Sequence, residues 1–492
     1  MCVVALRGRR APLFVLAAVV AVAALAFALE PHAYPSYDYA FALSSAQDVL
    51  RGRTTGYDVA LYSPVPHPLT LFVALATVPL PHTLALFTAF ALLAFALLCV
   101  AVFATGTLLG GWPAGALAAV VVFTSPEVFE PGVRTYGDVW FSALVVSALA
   151  LELARPRRGR PVLAVLALAG LLRPEAWGLA GLYWLYLLPG RPWRERLGLA
   201  GLVVIAPLLW FAMDVFLTGD PLHSIHHTET YTTRAHRVVS ADSLWMALSS
   251  LVDVAVLLGA VAGAVLAVWS DRRRGLLVLA AGVATFTFTV APAVLGDTPV
   301  LRRYLIVPAS LAAVLFGVSC LGWVQRVRQR ERVGAAWGVA GVALLAVAVV
   351  TATGTRVDKW RGDRTVQRER VAALDGLHAF VSRAPERAVL RAPACHPVRT
   401  PGYAFRPYLR LWLDVPPRAV SFDQRDFAPD APLLLLPRDR VRSQLTMLGN
   451  LGARSRAAIS ASPRFRRDYR RVAGDAGWDL YADRACRRAL AA

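Results

Sequence analysis

Residues 30–81 read EPHAYPSYDYAFALSSAQDVLRGRTTGYDVALYSPVPHPLTLFVALATVPLP. This stretch decides the fold, because everything downstream depends on whether its last part crosses a membrane. It follows an apolar run at 11–29 and holds Asp38, Asp48 and Asp58, two arginines, several tyrosines and a proline-rich exit. Apolar residues at Phe41, Leu43, Ala46, Val49 and Leu50 have the loose spacing of an amphipathic helix at an interface, which Gly52 and Gly56 interrupt. The apolar segment 68–80 that follows reaches only about 20 Å as a helix. A bilayer core is about 30 Å thick, so the segment reads as a re-entrant or interfacial helix and not as a span. A connection this long is usually functional.

The rest of the chain is built from apolar blocks. Of its 492 residues 57% are hydrophobic and 17% charged, and the mean hydropathy is +0.51. A soluble domain is nearer half apolar and a quarter charged. Blocks at 11–29, 83–109, 114–129, 139–154, 161–172, 176–188, 197–217, 251–269, 276–295, 304–323 and 335–353 read as spans. The expected fold is thus an α-helical polytopic membrane protein with about 11 transmembrane helices. Residues 1–10 carry Arg7, Arg9 and Arg10 ahead of a run too long for a signal peptide, so the first span is retained with its N-terminus cytoplasmic.

Arginine sets the parity. With 68–80 not spanning, Arg155, Arg157, Arg158 and Arg160 fall on one side with Arg191, Arg194 and Arg196, then Arg272, Arg273 and Arg274, then Arg326, Arg328, Arg330 and Arg332. The positive-inside rule makes that side cytoplasmic. A plasma (inner) membrane location follows, with the loop 30–81, residues 130–138, Arg173, the loop 218–243, residues 296–303 and the C-terminal region outside. The net charge of +20 comes almost wholly from arginine, since Lys359 is the only lysine. Charge so placed describes loops, and no nucleic-acid partner is expected.

Residues 1–354 are expected to form the transmembrane domain and 355–492 a soluble extracytoplasmic α/β domain. The latter has helical spacing at 366–381 and short strands at 388–391, 418–422, 432–436 and 478–482. It holds 27 basic and 14 acidic residues. Most of that charge reads as solvated surface, with attraction to anionic lipid or an envelope polymer as the weaker alternative. Cys395 and Cys486 lie in this region; in an oxidising compartment they are expected to form a disulfide. Cys99 and Cys320 sit in apolar segments as packed small hydrophobes.

The order of motifs is more specific. An apolar helix is followed by S-Y-D-Y-A around Asp38, the L-R-G turn at 50–52, a Y-x-P-x-P-H-P-L exit containing His67, a short helix, two spans, and R-T-Y-G-D at 134–138. With L-R-P-E-A at 172–176 and Arg303-Tyr304 opening a late span, this layout resembles the GT-C membrane glycosyltransferases, a class that includes protein O-mannosyltransferases and lipid A aminoarabinose transferases. The resemblance implies a polyprenyl-phosphate-linked sugar as donor, transfer on the outer face, and an envelope glycan, lipid or protein as acceptor. Such a transfer needs a carboxylate to accept the acceptor's proton and cations to hold the departing phosphate. Asp38 and Asp138 are the candidate acids, with Asp38 as base. Arg134, Arg173, Arg302 and Arg303 are the candidate cations, with Tyr304 beside them. The loop 30–81 is then half of an active site whose other half comes from later loops.

Each residue also has a structural reading. Asp38 and Asp138 suit helix N-termini, Arg302 and Arg303 suit interfacial anchoring, and a charge such as Arg173 between apolar helices is usually functional. His223, His226, His227, Glu229 and His236 cluster in one loop. A polar loop lining substrate, with His226 and His227 in contact, is preferred over a metal site. No metal ligands are assigned and no cofactor is certain, although a divalent cation is compatible with the chemistry. No phosphate-binding glycine loop, C-x-x-C pair or zinc-protease motif occurs. Two other functions fit the composition: a transporter or flippase of lipid-linked sugars, and a non-catalytic scaffold binding an envelope polymer. No internal repeat of the kind transporters carry stands out.

Overall fold

The computed structural model describes residues 11–57, 64–235, 241–294, 301–325, 331–400, 402–421, 431–438 and 461–491. It divides into two compact units. One comprises residues 1–31, 67–69 and 85–361, and the other residues 32–66, 70–84 and 362–492.

The first unit is helical and apolar. It contains α1 (Ala11–Leu29), α4 (Thr83–Gly110), α5 (Trp112–Phe123), α6 (Pro126–Val133), α7 (Gly137–Ala154), α8 (Arg160–Gly170), α9 (Glu175–Leu187), α10 (Trp193–Thr218), α11 (His223–Ala235), α12 (Ala241–Val252), α13 (Val254–Ser270), α14 (Arg272–Val294), α15 (Ile306–Leu321) and the start of α16 (Glu331–Ser382). Among the described residues seven helices are long and apolar enough to cross a membrane, and up to nine if each bent pair is one span. The chain is a multi-pass membrane protein. The segments read as spans at 161–172 and 176–188 form α8 and α9, of 11 and 13 residues, each shorter than the roughly 20 residues a crossing needs alone.

Both bends have local causes. α5 and α6 meet at 67°, where Pro126 enters the first turn of α6 and disfavours helical geometry at Ser125. Ser125 Oγ donates to Leu251 O at 2.6 Å, tying this break to the other one. There α12 and α13 meet at 89°, with Asp253 at φ +56° and its carboxylate paired with Arg356 at 2.5 Å. α15 is the most enclosed span, with 83% of its apolar window buried against 11% for α1. Glycine allows this approach: a Cβ on Gly317 would stand 2.3 Å from Ala114 O, and one on Gly263 1.9 Å from Leu315 O. Close crossings through small residues are how membrane helices gain packing where burial drives little.

The second unit holds α2 (Tyr37–Leu50), α3 (Pro68–Thr77, which begins among residues assigned to the first unit), the end of α16, α17 (Ala384–Arg391), α18 (Arg406–Leu413), α19 (Pro463–Asp468) and α20 (Arg484–Ala491). At 10 residues α3 is the short helix read from the sequence. Five strands, β1 (Val398–Arg399), β2 (Val420–Ser421), β3 (Leu433–Pro437), β4 (Arg470–Gly474) and β5 (Trp478–Ala482), form one sheet in the order β2-β1-β3-β5-β4. β1 is parallel to β2 and β3, while β5 runs antiparallel to β3 and β4. β3 is buried on both faces. Leu433 and Leu435 join Leu377, Phe380, Leu409 and Trp478 on one side, and Leu434 and Leu436 join Tyr469 on the other. A continuous leucine run is what such a central strand requires.

One strand reading is corrected. Residues 388–391 belong to helix α17, which begins with Pro385 in its first turn and Glu386 at its dipole-favoured end. A short apolar run cannot separate strand from helix by itself. Cys395 and Cys486 form a disulfide, with Cα atoms 4.8 Å apart across a sequence separation of 91. Closing a loop of that length is worth about 4–5 kcal/mol at most on the chain-entropy model. Replacing both cysteines by serine is expected to lower the protease resistance of this unit markedly. Non-reducing peptide mapping of the native protein should recover the cross-linked pair.

Candidate active site

Asp138 lies in the first turn of α7, where its charge meets the positive end of the helix. Arg173 occupies the turn between α8 and α9. Pro174 follows it and disfavours helix at Arg173, so the chain turns there before Glu175 opens α9. Arg303 and Tyr304 sit in the single 3₁₀ turn Arg302–Leu305 that precedes α15. Three separate turns of the transmembrane unit thereby deliver their charges to one place.

The geometry is that of a shared carboxylate. Arg173 Nη1 donates to Asp138 Oδ1 at 2.5 Å, and Arg303 Nε lies 2.7 Å from Asp138 Oδ2. The other edge of Arg173 reaches Glu175, with Nε to Oε1 at 3.1 Å and a further contact from Nη2. Two carboxylates and two guanidiniums balance in charge. Asp138 and Arg173 are 8% and 9% exposed, so neither ion has water to replace a lost partner. Aromatic faces complete the cage: Arg173 lies 3.7 Å from the Tyr304 ring centre and Arg303 4.4 Å from that of Tyr136. Burial alone would loosen the proton on Arg173, but Glu175 and Asp138 outweigh it and hold the guanidinium more firmly charged than usual. His67 packs edge-on against Trp210, ring centres 5.6 Å apart.

The remaining candidates point elsewhere. Arg302 is adjacent to Arg303 in sequence but pairs with Glu127 Oε1 at 2.7 Å, an oxygen that also accepts from Lys359. Arg134 pairs with Glu130 at 2.5 Å, one helical turn back. His226 Nδ1 lies 2.8 Å from Asp220, and His223 stacks on His227 with centres 5.4 Å apart. His236 and Asp58 lie outside the described residues. Among the described residues no three His, Cys, Asp or Glu side chains assemble as a metal site.

In the second unit Asp38 is in the first turn of α2, half-buried beside Tyr37. Burial pushes the Tyr37 hydroxyl far above the usual tyrosine range, so it stays a neutral donor. Ten residues beyond Asp38, Asp48 accepts from Arg410 and lies 3.1 Å from Arg53. Arg410 is 1% exposed and also donates to Thr55 O at 3.2 Å. Burial pushes the Asp48 carboxyl up to about 6 against the pull of Arg410 and Arg53. Arg53 and Arg51 continue to Asp414, locking α2 against α18. Removing one member of a buried pair strands the other, at about 3–5 kcal/mol. Arg410→Ala is expected to destabilise this unit by that amount, with Asp48→Asn in the same chain restoring part of it, as read by thermal unfolding in detergent.

No protein-family model matches the chain, and no curated protein matches it. Solved structures do. ArnT from Cupriavidus metallidurans bound to undecaprenyl phosphate superposes with a TM-score of 0.58 at 14% identity, over 95% of this chain and 97% of that one. Its apo state gives 0.54 at 13% identity, over 96% and 98%. The Archaeoglobus fulgidus oligosaccharyltransferase tethered to an acceptor peptide gives 0.51 at 12% identity, over 97% of this chain and 74% of that one. The chain has the GT-C fold.

On this GT-C fold the four-charge cluster is built from the starts of α7, α9 and α15. Sequence reasoning named Asp138, Arg173 and Arg303 as charges at the edges of apolar segments, and Tyr304 through the resemblance. It quoted Glu175 but gave it no part, and it missed Tyr136. An acid separated from an arginine only by proline was the available signal for Glu175. Both oxygens of Asp138 face guanidiniums, Arg173 on one and Arg303 on the other.

Proposed function

We propose that the protein is an integral membrane glycosyltransferase that moves a sugar from a polyprenyl-phosphate donor to a cell-envelope acceptor on the outer membrane face. The observation that carries this reading is the Asp138–Arg173–Glu175–Arg303 cluster within a transmembrane unit, with Asp138 and Arg173 buried at its centre. Ions in such surroundings are costly and are kept for function. The GT-C fold and the undecaprenyl phosphate held by ArnT support the choice of donor.

In this mechanism Asp38 takes the proton from the acceptor hydroxyl as its oxygen attacks the anomeric carbon. The anomeric C–O bond to phosphate breaks in the same step, its electron pair leaving with the polyprenyl phosphate, so configuration inverts. Arg303 and Arg173 steady the departing phosphate, with Tyr304 fixing Arg173. Asp138 orients both guanidiniums. The arginine distribution supports a cytoplasmic N-terminus and an outer location for residues 355–492, where an oxidising compartment suits the disulfide.

Purified protein incubated with a panel of radiolabelled polyprenyl-phosphate sugars and envelope extract is expected to move label into an extract component. Counterflow of intact donor in liposomes without covalent transfer would instead identify a transporter.

A further inference from the structure

The second unit carries a concentrated basic face. α19 and β4 run consecutively through Arg464, Arg466, Arg467, Arg470 and Arg471, and α20 adds Arg484, Arg487 and Arg488. These elements meet through Asp468: Arg484 Nε lies 3.8 Å from its carboxylate, and Arg487 donates to its backbone oxygen at 3.4 Å. All of these arginines except Arg487 are exposed.

Among the described residues the nearby acids are engaged. Asp468 is held by Arg467 at 3.2 Å. Asp479 is 1% exposed and accepts from Arg471 and Arg438 at 2.7 and 3.0 Å. Asp483 accepts from the Cys486 backbone N–H at 2.7 Å, and Asp475 pairs with Arg383 at 2.9 Å. The outward charge is therefore strongly positive. β4 is also an edge strand of the sheet; Arg471 pairs in register with Tyr481 and shares its face, while Arg470 stands on the opposite one. Beside them Phe465 and Tyr481 are half-buried, their ring centres 5.0 Å apart. Sugar rings pack on such faces while guanidiniums pair with carboxylate or phosphate.

We infer that the α19–β4–α20 face binds a polyanionic glycan, and that this is the acceptor class. The second half rests on the transferase reading above; the binding surface does not. Exposed guanidiniums beside the Phe465 and Tyr481 rings fit a charged sugar chain, whose rings can pack where its anions pair, better than a bilayer surface.

The test uses the full chain in phosphatidylcholine nanodiscs, with polygalacturonate as probe and neutral dextran as control. Wild type is expected to bind polygalacturonate and not dextran, with affinity falling at least about tenfold between low and high salt. Arg466→Gln/Arg467→Gln and, separately, Arg484→Gln/Arg488→Gln should each weaken binding at least about fivefold, since all four side chains are exposed. Asp38→Asn should bind like wild type, so loss of transfer and loss of binding remain distinguishable. Unchanged polygalacturonate affinity in both paired variants would overturn the proposal. So would paired variants that lose affinity only for phosphatidylglycerol vesicles, which would make the face a membrane contact.

Discussion

Asp38→Asn is expected to slow sugar transfer by about 10²–10⁴-fold, the range for loss of a general base, while the protein still inserts and folds. The amide keeps the shape of the carboxylate and removes its ability to take a proton. As an acid in the first turn of α2, Asp38 contributes about 0.3–1 kcal/mol to that helix through its dipole, so unfolding should shift by no more than this. Asp138→Asn should also impair transfer, by another route, because it releases Arg173 and Arg303 from their shared anchor. Thermal unfolding in detergent separates the two: Asp38→Asn should unfold like wild type within that margin, whereas Asp138→Asn should unfold at a lower temperature, because two guanidiniums lose their charged partner. A variant Asp38→Asn with full activity would remove Asp38 from the role of base.

How much of this was legible in the sequence depended on the reach of each interaction. Asp138, Arg173 and Arg303 could be found because charges at the edges of apolar blocks are visible one at a time. Which carboxylate each guanidinium meets could not. Arg302 and Arg303 are neighbours, yet the 3₁₀ turn sends one to Glu127 and the other to Asp138. The Asp48–Arg410 pair joins residues 362 positions apart, and no periodicity announces such a partner. The short helix α3 was readable from length alone, since a ten-residue helix cannot cross a bilayer core. The 52-residue helix α16 was not foreseen as one element. Its composition changes from apolar to charged midway, and that change concealed a stretch with no proline to end it. β4, reading RRVAG, was missed because an edge strand tolerates the charge that a strand search discounts.

Arg173→Met is expected to cost about 3–5 kcal/mol of stability and to abolish detectable transfer. The side chain bridges Asp138 and Glu175 from a turn between two apolar helices, so its loss leaves one excess negative charge in a setting with little water. Arg173→Lys should recover little, because a single ammonium cannot present the fork that meets both carboxylates and lies flat on Tyr304. The informative variant is Arg173→Met/Glu175→Gln. It restores charge balance, leaving Asp138 with Arg303, and should regain most of the lost stability as a coupling between neighbours. If Arg173 only held the helices together, transfer would return with stability. If it steadies the departing phosphate, the double variant folds like wild type and stays inactive, because the neutral pair offers no charge to the leaving group. Thermal unfolding and transfer rates measured on the same detergent-purified samples would decide. Recovery of both would reduce Arg173 to a structural tie, and an unfolding temperature unchanged in Arg173→Met alone would contradict the buried-pair argument from which the prediction begins.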